Sequence, residues 1–473
     1  MKYLSSLNLK TSHKRIRLEM CPIVAYDKLY LDDPYSFLYE SLESKGKRGR
    51  FSFVGGKPFL ILKSYGQDIS IQYHDQLYQE KGNPFTVLRA LVNGRRTGAQ
   101  VLPFAGGAVG YVSYDAIRFI ENIPDNNPDK MHVPDTYFMF PSEVIVFDHQ
   151  EKTVDVISYT EEGGYKQIDA IEVSLRALDR STIRKIPKGN GYSLPFESNF
   201  TPQDYGDIVK KAREYIKAGD VFQVVLSQRF GFPLDVHPFT VYSALRRTNP
   251  SPYMYYLNLD GLTIAGSSPE ILVKVKDKRV TTRPLAGTRP RGHNEQEDQA
   301  FENDLLSDDK EKAEHVMLVD LARNDIGRVC DYGTVHVDDM MTIERYSKVM
   351  HIVSNVEGRL RQDCDAFDVF EASFPAGTVS GAPKVRSMEI IDELETLRRG
   401  IYAGSIGYFD FSGNMDMCIA IRNIIMLKNR GYIQAGAGIV ADSQPDKEYQ
   451  ETRNKAKALM HAIEMVSGHN KAT

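Results

Sequence analysis

Strand-like runs follow one another along this chain with only short turns between several of them, and this order limits the folds available to it. After residue 200 the helical stretches are interrupted by VVLSQRFGF, YMYYLNL, TIAGSS, GSIGYFDF and YIQAGAGIV. Before residue 182 the corresponding runs include FLILKSYG, SEVIVFDH and TVDVISYT. A parallel βαβ sheet needs a crossover of roughly a dozen or more residues between successive strands. The sequence therefore argues against a simple parallel sheet.

The chain is long enough to hold more than one structural unit, because its 473 residues can bury a large core. Residues 182–200 are rich in Pro, Gly, Ser and Lys and show little periodicity. We predict a linker or a long surface loop over 182–200. It would separate an N-terminal region over 1–181 from a C-terminal domain over 201–473.

Charge and composition favour a soluble cytoplasmic protein. The 59 basic and 63 acidic residues give a net charge of −4 and a pI near 6.3, so neither nucleic acid nor an anionic membrane is expected as a partner. No apolar run approaches the length of a membrane span, and the N-terminus lacks the apolar region of a signal peptide. The scattered cysteines suit reduced thiols in the cytoplasm; they are Cys21, Cys330, Cys364 and Cys418.

The last strand-like run of the chain leads into a charged helical segment. The run contains Gly436 and Gly438, and on the helix Glu448, Glu451 and Lys455 fall at i, i+3 and i+7 and share one face. Carboxylates at a helix start, beside glycines that let backbone amides approach closely, suit a metal ion together with an anionic substrate. A solvated helix face is the alternative interpretation.

A second pair of carboxylates lies on a predicted helix over 308–324. Glu311 and Glu314 are one turn apart there, with His315 adjacent. Mg²⁺ typically takes one or two protein carboxylates and completes its octahedron with water and substrate oxygens. Glutamates from two helices that face one cleft would meet that demand. A zinc site is not expected, because no Cys and His residues have ligand spacing.

Five long motifs resemble those of one enzyme family. They are SSPEIL (267–272), RPLAGTRPRG (283–292), EHVMLVDLARNDIGRV (314–329), FPAGTVSGAPKVRSMEIIDELE (374–395) and GAGIVADSQPDKEYQET (436–452). Together they resemble the chorismate-utilising enzymes, and within that family most closely the anthranilate synthase component I group. The resemblance runs in order from about residue 200 to 465. It is thinner in the N-terminal part, mainly at 34–56 and 102–115.

The resemblance implies a fold and a reaction. The fold is α+β, with two large, mostly antiparallel β-sheets packed together and flanked by helices. The reaction is a Mg²⁺-dependent amination of chorismate at C2 with ammonia, followed by pyruvate elimination to give anthranilate, the first step of tryptophan biosynthesis. A non-catalytic tryptophan-binding or scaffold protein that keeps the fold is a further alternative.

The resemblance also implies roles for individual residues. Glu314 and Glu451 would bind Mg²⁺, and Glu311 and Glu448 would support it. The substrate carboxylates would be bound by Thr378, Tyr402, Arg422, Lys455 and the backbone amides of Gly436 and Gly438. Arginine suits this role because its planar fork matches a carboxylate.

The resemblance implies four catalytic residues. Glu270 and His351 would transfer protons, and Gln223 and Thr378 complete the predicted catalytic set. Glu270 would be the general acid that protonates the departing C4 oxygen, which requires burial to keep its carboxyl protonated near neutral pH. His351 would assist pyruvate elimination. From the residues alone, Glu270 reads equally as a strand-end residue in a surface ion pair, and His351 as a core histidine.

Two positions distinguish members of the family. Relatives that add water at C2, the isochorismate and salicylate synthases, carry Lys where this chain has Gln223. Gln cannot activate water as a base, which favours an ammonia-using enzyme. Aminodeoxychorismate synthase component I, the alternative assignment in the folate branch, typically carries a nucleophilic Lys where this chain has Ala286.

A regulatory site is implied by LYES at 38–41. This motif, with Ser52 ten residues later, resembles the tryptophan-binding motif of feedback-inhibited enzymes of the family, and PSPYMYY at 250–256 resembles the other wall of that pocket. The implied inhibitor-binding residues are Tyr39, Glu40, Ser41, Ser52, Pro252, Tyr253 and Met254. An ordinary strand and turn is the alternative.

Ammonia is expected to come from another protein. A glutamine amidotransferase of the triad type needs a nucleophilic Cys on a tight glycine turn, and none of the cysteines has a G-x-C-x-G context. The resemblance implies a separate glutaminase subunit, anthranilate synthase component II, and hence a hetero-oligomer.

Overall fold

The computed structural model describes residues 9–42, 48–94, 102–178, 194–346 and 349–467. The strands are β1 (Lys10–Arg17), β2 (Tyr35–Leu42), β3 (Arg48–Tyr65), β4 (Asp68–Tyr73), β5 (Gln76–Lys81), β6 (Gly107–Val112), β7 (Thr136–Asp148), β8 (Thr153–Thr160), β9 (Glu197–Ser198), β10 (Gln223–Pro233), β11 (Tyr253–Leu259), β12 (Leu262–Ser268), β13 (Ile271–Lys276), β14 (Arg279–Thr282), β15 (Leu285–Pro290), β16 (His336–Arg345), β17 (Val349–Arg359), β18 (Gly381–Ala382), β19 (Ser405–Asp410), β20 (Met415–Ile419), β21 (Asn423–Leu427) and β22 (Arg430–Ile439).

The helices surround these strands, and a 3-10 helix spans Tyr114–Phe119. They are α1 (Pro22–Leu29), α2 (Pro84–Asn93), α3 (Tyr165–Ala177), α4 (Pro202–Ala218), α5 (Pro238–Thr248), α6 (Glu295–Ser307), α7 (Asp309–Gly327), α8 (Ala366–Ser373), α9 (Gly377–Ser380), α10 (Lys384–Leu394) and α11 (Pro445–Glu464).

Two antiparallel sheets share the long strands β3 and β7. The first sheet has the order β1-β8-β7-β3-β2-β11-β12-β21-β22-β10, with the short β9 and β18 on β10. The second has the order β5-β4-β3-β7-β6-β19-β20-β13-β14-β17, with β15 and β16 also on β17. Every pairing is antiparallel, which confirms the predicted fold class.

The two sheets pack face to face because their strands alternate between two apolar layers. In the first sheet, Phe37 and Tyr255 point into the core between the sheets, whereas Leu38 and Tyr256 point to the outer face covered by α1, α3, α5 and α11. The sheets also touch through polar contacts. The Tyr39 hydroxyl of β2, for example, donates to the carbonyl of Gly407 in β19 at 3.2 Å.

Two helices that carry predicted site residues are fixed at their starts. The Asp308 side chain caps α7 by accepting hydrogen bonds from the backbone N–H groups of Lys310 and Glu311. Helix α11 begins with Pro445 in its first turn, where a missing N–H costs nothing. Helix α7 packs on β15 and β17, and α11 packs on β22. The predicted glutamates therefore sit on helices anchored to different parts of the sheets.

Most of the predicted linker over 182–200 lies outside the described residues, which resume at 194. In the part that is described, Phe196 packs against the apolar cluster on the outer face of the first sheet, and β9 pairs with β10. Both predicted regions contribute strands to each sheet. None of the helices in the described ranges combines the length and apolar character needed to cross a membrane.

Candidate active site

Glu270 lies at the turn between β12 and β13 and is only 7% exposed. The Thr378 hydroxyl at the start of α9 donates a hydrogen bond of 3.0 Å to its Oε1. Burial raises the pKa of Glu270 from 4.5 to about 8, against the opposing effects of Thr378, the Leu285 backbone and the Lys455 charge. The carboxyl is therefore protonated at neutral pH, the state that a general acid requires.

A cationic group reaches this region from α11. The Lys455 ammonium donates to the carbonyl of Gly436 at 2.9 Å and pairs with Glu451 at 2.8 Å. Its charge acts on both Glu270 and His351. The strand end at Gly436, the helix α11 and the two proton-transfer candidates therefore border one region.

Tyr402 packs against the same strand. Burial raises the pKa of Tyr402 to about 12, so its phenol stays protonated and available as a hydrogen-bond donor. A Cβ atom at Gly436 would lie 2.8 Å from the Tyr402 hydroxyl and 2.9 Å from the carbonyl of Leu226. Only glycine allows the strand to approach the tyrosine this closely.

Arg422 sits between β20 and β21 with a positive φ of 53°. Burial lowers its pKa, while the nearby Tyr402 and Glu451 act in the opposite direction. The Arg422 charge also acts on His351. The two cations, Arg422 and Lys455, thus lie on the side of the site where the substrate carboxylates are predicted to bind.

Gln223 begins β10 and connects this strand to α7. Its Nε2 donates to Oε1 of Glu314 at 2.9 Å. A Cβ atom at Gly438 would lie 2.5 Å from the same Nε2, so this glycine leaves room for the amide. The structure therefore brings together Gln223 of β10, Glu314 of α7 and Gly438 of β22.

The four predicted metal-binding glutamates lie on α7 and α11, and Lys310 of α7 pairs with Asp442, which shortly precedes α11. Burial raises the pKa of Glu311, and the charge of Glu314 adds to this effect. Burial likewise raises the pKa of Glu448, with a further contribution from Glu451. The charge of Lys310, which pairs with Asp442, is felt by both Glu314 and Glu448; these two glutamates therefore lie near the same ammonium.

The glutamates are near one another without forming a tight cluster. Among the described residues, the group of three His, Cys, Asp or Glu ligand atoms within 4.8 Å of one another is His336, Asp338 and Glu357, on the surface of β16 and β17. A magnesium ion that uses one or two protein carboxylates does not need such a cluster. The glutamates of α7 and α11 fit that requirement.

His351 lies in β17 opposite Glu344 of β16. Burial lowers its pKa, so the ring is neutral near pH 7. Its Nδ1 lies 2.8 Å from the carbonyl of Gly287. A carbonyl can only accept, so Nδ1 carries the proton and Nε2 is left with a free lone pair.

A large cavity of about 560 Å³ lies among the described residues, and Pro269 and Ile271, on either side of Glu270, belong to its lining. Six of the seven residues predicted to bind tryptophan line it: Tyr39, Glu40, Ser41, Pro252, Tyr253 and Met254. Aromatic rings on two walls suit a flat apolar ligand. A much smaller cavity of about 40 Å³ lies beside Glu270 and Thr378.

Two of the predicted inhibitor-binding side chains have other partners. The carboxylate of Glu40 accepts two hydrogen bonds from Arg246, at 2.7 and 2.8 Å, and one from Tyr242 at 2.8 Å, on the outer face of the first sheet. The seventh residue, Ser52, lies 2.8 Å from Nε2 of His149. The α-ammonium of a bound amino acid would therefore meet a Glu40 carboxylate that already has an ion-pair partner.

Sequence reasoning missed a buried ion pair behind the site and a charged wall of the cavity. Arg399 and Glu395 pair with side chains that are 1% and 3% exposed. Arg283 pairs with Glu344 on the cavity wall, and Tyr346 donates to the same carboxylate at 2.9 Å. The position of Arg283 and Glu395 inside the long motifs was the available indication.

Comparison with known proteins shows the family to which the chain belongs. The family model described as chorismate binding enzyme matches residues 37–461. Anthranilate synthase component 1 of Acetivibrio thermocellus is 48% identical over 455 residues, covering 92% of each chain. The protein of the same name from Aquifex aeolicus is 47% identical, covering 94% of this chain and 92% of its own.

A solved structure is similar over nearly the whole chain. The crystal structure of anthranilate synthase component I from Streptococcus pneumoniae has a TM-score of 0.78 and 39% identity. The match covers 93% of this chain and 97% of that one. On the family model, the relatives and the solved structure together, this chain belongs to the chorismate-binding enzyme family, in the group named anthranilate synthase component 1.

Proposed function

We propose that this protein converts chorismate into anthranilate with ammonia as the nitrogen source, in the first step of tryptophan biosynthesis. The observation that carries the proposal is Glu270, a buried and protonated carboxyl that contacts Thr378 and lies near the Lys455 charge. We place this protein in the cytoplasm, where its cysteines, which are scattered through the sequence, would stay reduced.

Binding uses the cationic side of the site. Chorismate carries two carboxylates, and Arg422, Lys455 and the protonated Tyr402 supply donors for them. The amides at Gly436 and Gly438 add further donors where the missing Cβ atoms leave space. This arrangement offsets the negative charge of the substrate and fixes the ring relative to Glu270.

Magnesium fits the carboxylates of α7 and α11. Glu311 and Glu448 have raised pKa values, first because of burial and then because each lies beside another glutamate. A divalent cation would relieve this repulsion, with Glu314 and Glu451 as its ligands and Glu311 and Glu448 beside it. When bound, Mg²⁺ would supply a positive charge that offsets the charge of the ring carboxylate.

The first step adds ammonia at C2 of the ring and removes the hydroxyl group from C4. Ammonia forms a bond to C2, the ring double bonds shift, and the C4–O bond breaks. Glu270 gives its proton to the departing oxygen, which leaves as water. The carboxylate of Glu270 then takes up the proton that the added nitrogen loses, directly or through water, so that atoms and charge balance.

The second step removes pyruvate and makes the ring aromatic. A base takes the C2 proton, the C2–H electron pair forms the ring double bond, and the C3–O bond breaks so that the enolpyruvyl group leaves as the enolate of pyruvate. A proton, returned by the protonated base or taken from water, then adds to the methylene carbon of the enolate and gives pyruvate. His351 is neutral, and its Nε2 has the free lone pair that a base needs, because Nδ1–H is bound to the Gly287 carbonyl. We assign this proton transfer to His351.

Two positions favour ammonia addition followed by pyruvate loss. Gln223 contacts Glu314 and cannot serve as a base for water. Ala286, beside His351 through the pairing of β15 with β17, has no nucleophilic group. Ammonia therefore attacks C2 directly, and a separate glutaminase subunit supplies it in a hetero-oligomer.

Tryptophan is the inhibitor that we assign to the large cavity. The cavity has tyrosine rings on two walls and charged pairs nearby that can bind an amino acid backbone. Because Glu40 is paired with Arg246, we assign it to shaping β2 through that pair, while Tyr39 and Ser41 face the cavity from the same strand.

The test uses the purified chain with chorismate, Mg²⁺ and an ammonium salt at alkaline pH. We expect anthranilate fluorescence that tryptophan suppresses, and no reaction when glutamine replaces ammonium. Chorismate consumption with an aminated product that keeps its pyruvate would assign the chain to aminodeoxychorismate synthase instead. Tryptophan binding with no chorismate consumption would favour a non-catalytic protein.

A further inference from the structure

A buried ion pair lies directly behind the substrate side of the proposed site. The Arg399 Nη2 and Nε atoms donate to the two carboxylate oxygens of Glu395 at 2.6 and 3.0 Å. The same carboxylate accepts hydrogen bonds from the backbone N–H and the hydroxyl of Ser227 in β10, both at 2.8 Å. The negative charge of the pair is thus fixed to the first sheet.

The remaining donors of Arg399 reach two separate backbone segments. Nη1 donates to the carbonyl of Val379 in α9 at 2.7 Å, and Nη2 donates to the carbonyl of Val225 in β10 at 2.7 Å. The guanidinium also lies over the ring of Tyr402, 5.6 Å from its centroid. One planar side chain therefore connects a strand, a short helix and a tyrosine.

Each of these three contacts adjoins a group of the site. Val379 follows Thr378, which donates to Glu270. Val225 pairs with Gly438 in β22. Tyr402 itself is a predicted ligand of the substrate. Arg399 makes no contact with the cleft, because only 1% of its side chain is exposed.

Stability alone does not explain the pair. A buried ion pair pays a large desolvation penalty, and apolar residues of similar volume often give equal stability. Apolar residues could not bind the carbonyls of α9 and β10 at the same time. A lysine could not do so either, since it lacks the fixed fork of a guanidinium.

We propose that Arg399, anchored by Glu395, is a positioning residue that sets the relative placement of Thr378, the β22 backbone and Tyr402 for substrate binding. This inference rests on the proposed function, because it takes those three groups to be the ones that contact chorismate. Arg399 acts only through them and touches neither substrate nor metal.

The test compares Arg399→Lys with Arg89→Lys in the full chain. Arg89 is the control, because its guanidinium also pairs with two carboxylates, those of Asp365 and Asp368 at the start of α8, and these pairs do not involve Thr378, Tyr402 or β22. Two quantities are measured for each variant: the Kd for chorismate with Mg²⁺ by titration calorimetry, and kcat and KM with ammonium. Thermal melting reports on stability.

For Arg399→Lys we expect chorismate Kd and KM to rise about 10- to 100-fold, a change typical of ligands misplaced by about an ångström. Arg89→Lys should change Tm without this shift. If Arg399→Lys lowers Tm and leaves Kd and KM unchanged, the pair is merely structural and the inference is wrong.

If Arg399→Lys does not fold, a second variant, Glu395→Gln, tests the same inference. Glu395→Gln keeps the shape and the acceptor for Ser227 but removes the charge that anchors Arg399, and we expect a smaller rise in Kd and KM, of several-fold. Unchanged values would overturn the inference. The product assay on the wild-type chain separates the two proposals: a product other than anthranilate contradicts the proposed function, while the Kd comparison still decides the role of Arg399.

Discussion

Thr378 Oγ1 lies 3.0 Å from Oε1 of Glu270, and this hydrogen bond opposes the effect of burial on the carboxyl. Burial favours the neutral acid, while a hydroxyl that donates to the carboxylate favours the ionised form. The balance leaves the pKa of Glu270 at about 8. An acid with this pKa is protonated near neutral pH and can still release its proton readily.

The pH dependence of turnover should follow this balance. At constant free ammonia, we expect kcat to fall as the pH rises through about 8, because Glu270 loses the proton that it must donate. Thr378→Val removes the hydrogen bond that lowers the pKa, so the fall should move to a higher pH even though kcat itself is smaller. Profiles of kcat against pH for both proteins check this. Identical alkaline limbs would assign the titration to another group.

Burial of the Glu270 carboxyl should make the free energy of unfolding decrease as the pH rises. The pKa of Glu270 is 4.5 as a reference and about 8 in the folded chain, so folding takes up a proton between these values and stability falls as pH rises through this window. Glu270→Gln removes the titration. We expect it to be more stable than wild type by roughly 2–4 kcal/mol at pH 8 and by little near pH 5.

Urea unfolding at the two pH values measures this difference. Turnover of Glu270→Gln should fall by about 10²- to 10⁴-fold, the usual contribution of a general acid. Glu162→Gln is a suitable control, because Glu162 is exposed. A pH-independent difference in stability between wild type and Glu270→Gln would show that the carboxyl is ionised in the folded protein.

Removal of a metal-binding glutamate should abolish turnover without unfolding the chain. Glu314→Gln and Glu451→Gln lose one of the charges on α7 and α11, and we expect turnover to fall by more than about 100-fold. Circular dichroism and Tm should stay close to wild type. Calorimetry with Mg²⁺ and chorismate provides a readout that does not depend on turnover.

Glu214→Gln, at an exposed position of α4, is the control for these variants. It should retain both Mg²⁺ binding and turnover. Wild-type Mg²⁺ affinity in Glu314→Gln and Glu451→Gln would remove the metal assignment.

Tryptophan binding can be measured directly, because the chain contains no Trp of its own. Fluorescence of added tryptophan should change when it enters the large cavity, against a background of tyrosine alone. Tyr253→Ala removes a ring from the cavity wall, and we expect the Kd to rise about tenfold or more. For inhibition, the rate of anthranilate formation with tryptophan should be compared with the rate without tryptophan for the same variant.

Tyr332→Ala is the matched control, because this tyrosine is fully exposed and lies outside the cavity lining. Its tryptophan affinity should equal that of wild type. Equal affinity in Tyr253→Ala as well would place the inhibitor elsewhere.

The sequence predicted which residues and elements form the candidate site better than it predicted which side chains contact one another. Periodicity placed Glu448, Glu451 and Lys455 on one helix face, and the resemblance carried by the long motifs implied the two-sheet fold. These features depend on local pattern or on strings of adjacent residues, which are visible without coordinates.

Contacts between distant parts of the chain were not visible. Glu40 pairs with Arg246, which is 206 residues away, and Ser52 contacts His149, which is 97 residues away. Strand alternation did indicate that Glu40 points away from the predicted tryptophan site, since a period of two places it on the opposite face from Tyr39 and Ser41. The partner on that face depends on how α5 packs, which no local pattern specifies.

The strands β3 and β7 belong to both sheets, and this limits how the chain can be divided. A fragment that begins at residue 201 would leave β11 without β2 and β19 without β6, exposing two open edges with apolar faces. Such a fragment should aggregate, and the intact chain should melt in a single cooperative transition. Ligand binding in either cavity would then raise the melting temperature of the whole molecule, so inhibitor and substrate can each be detected by a thermal shift without any assay of turnover.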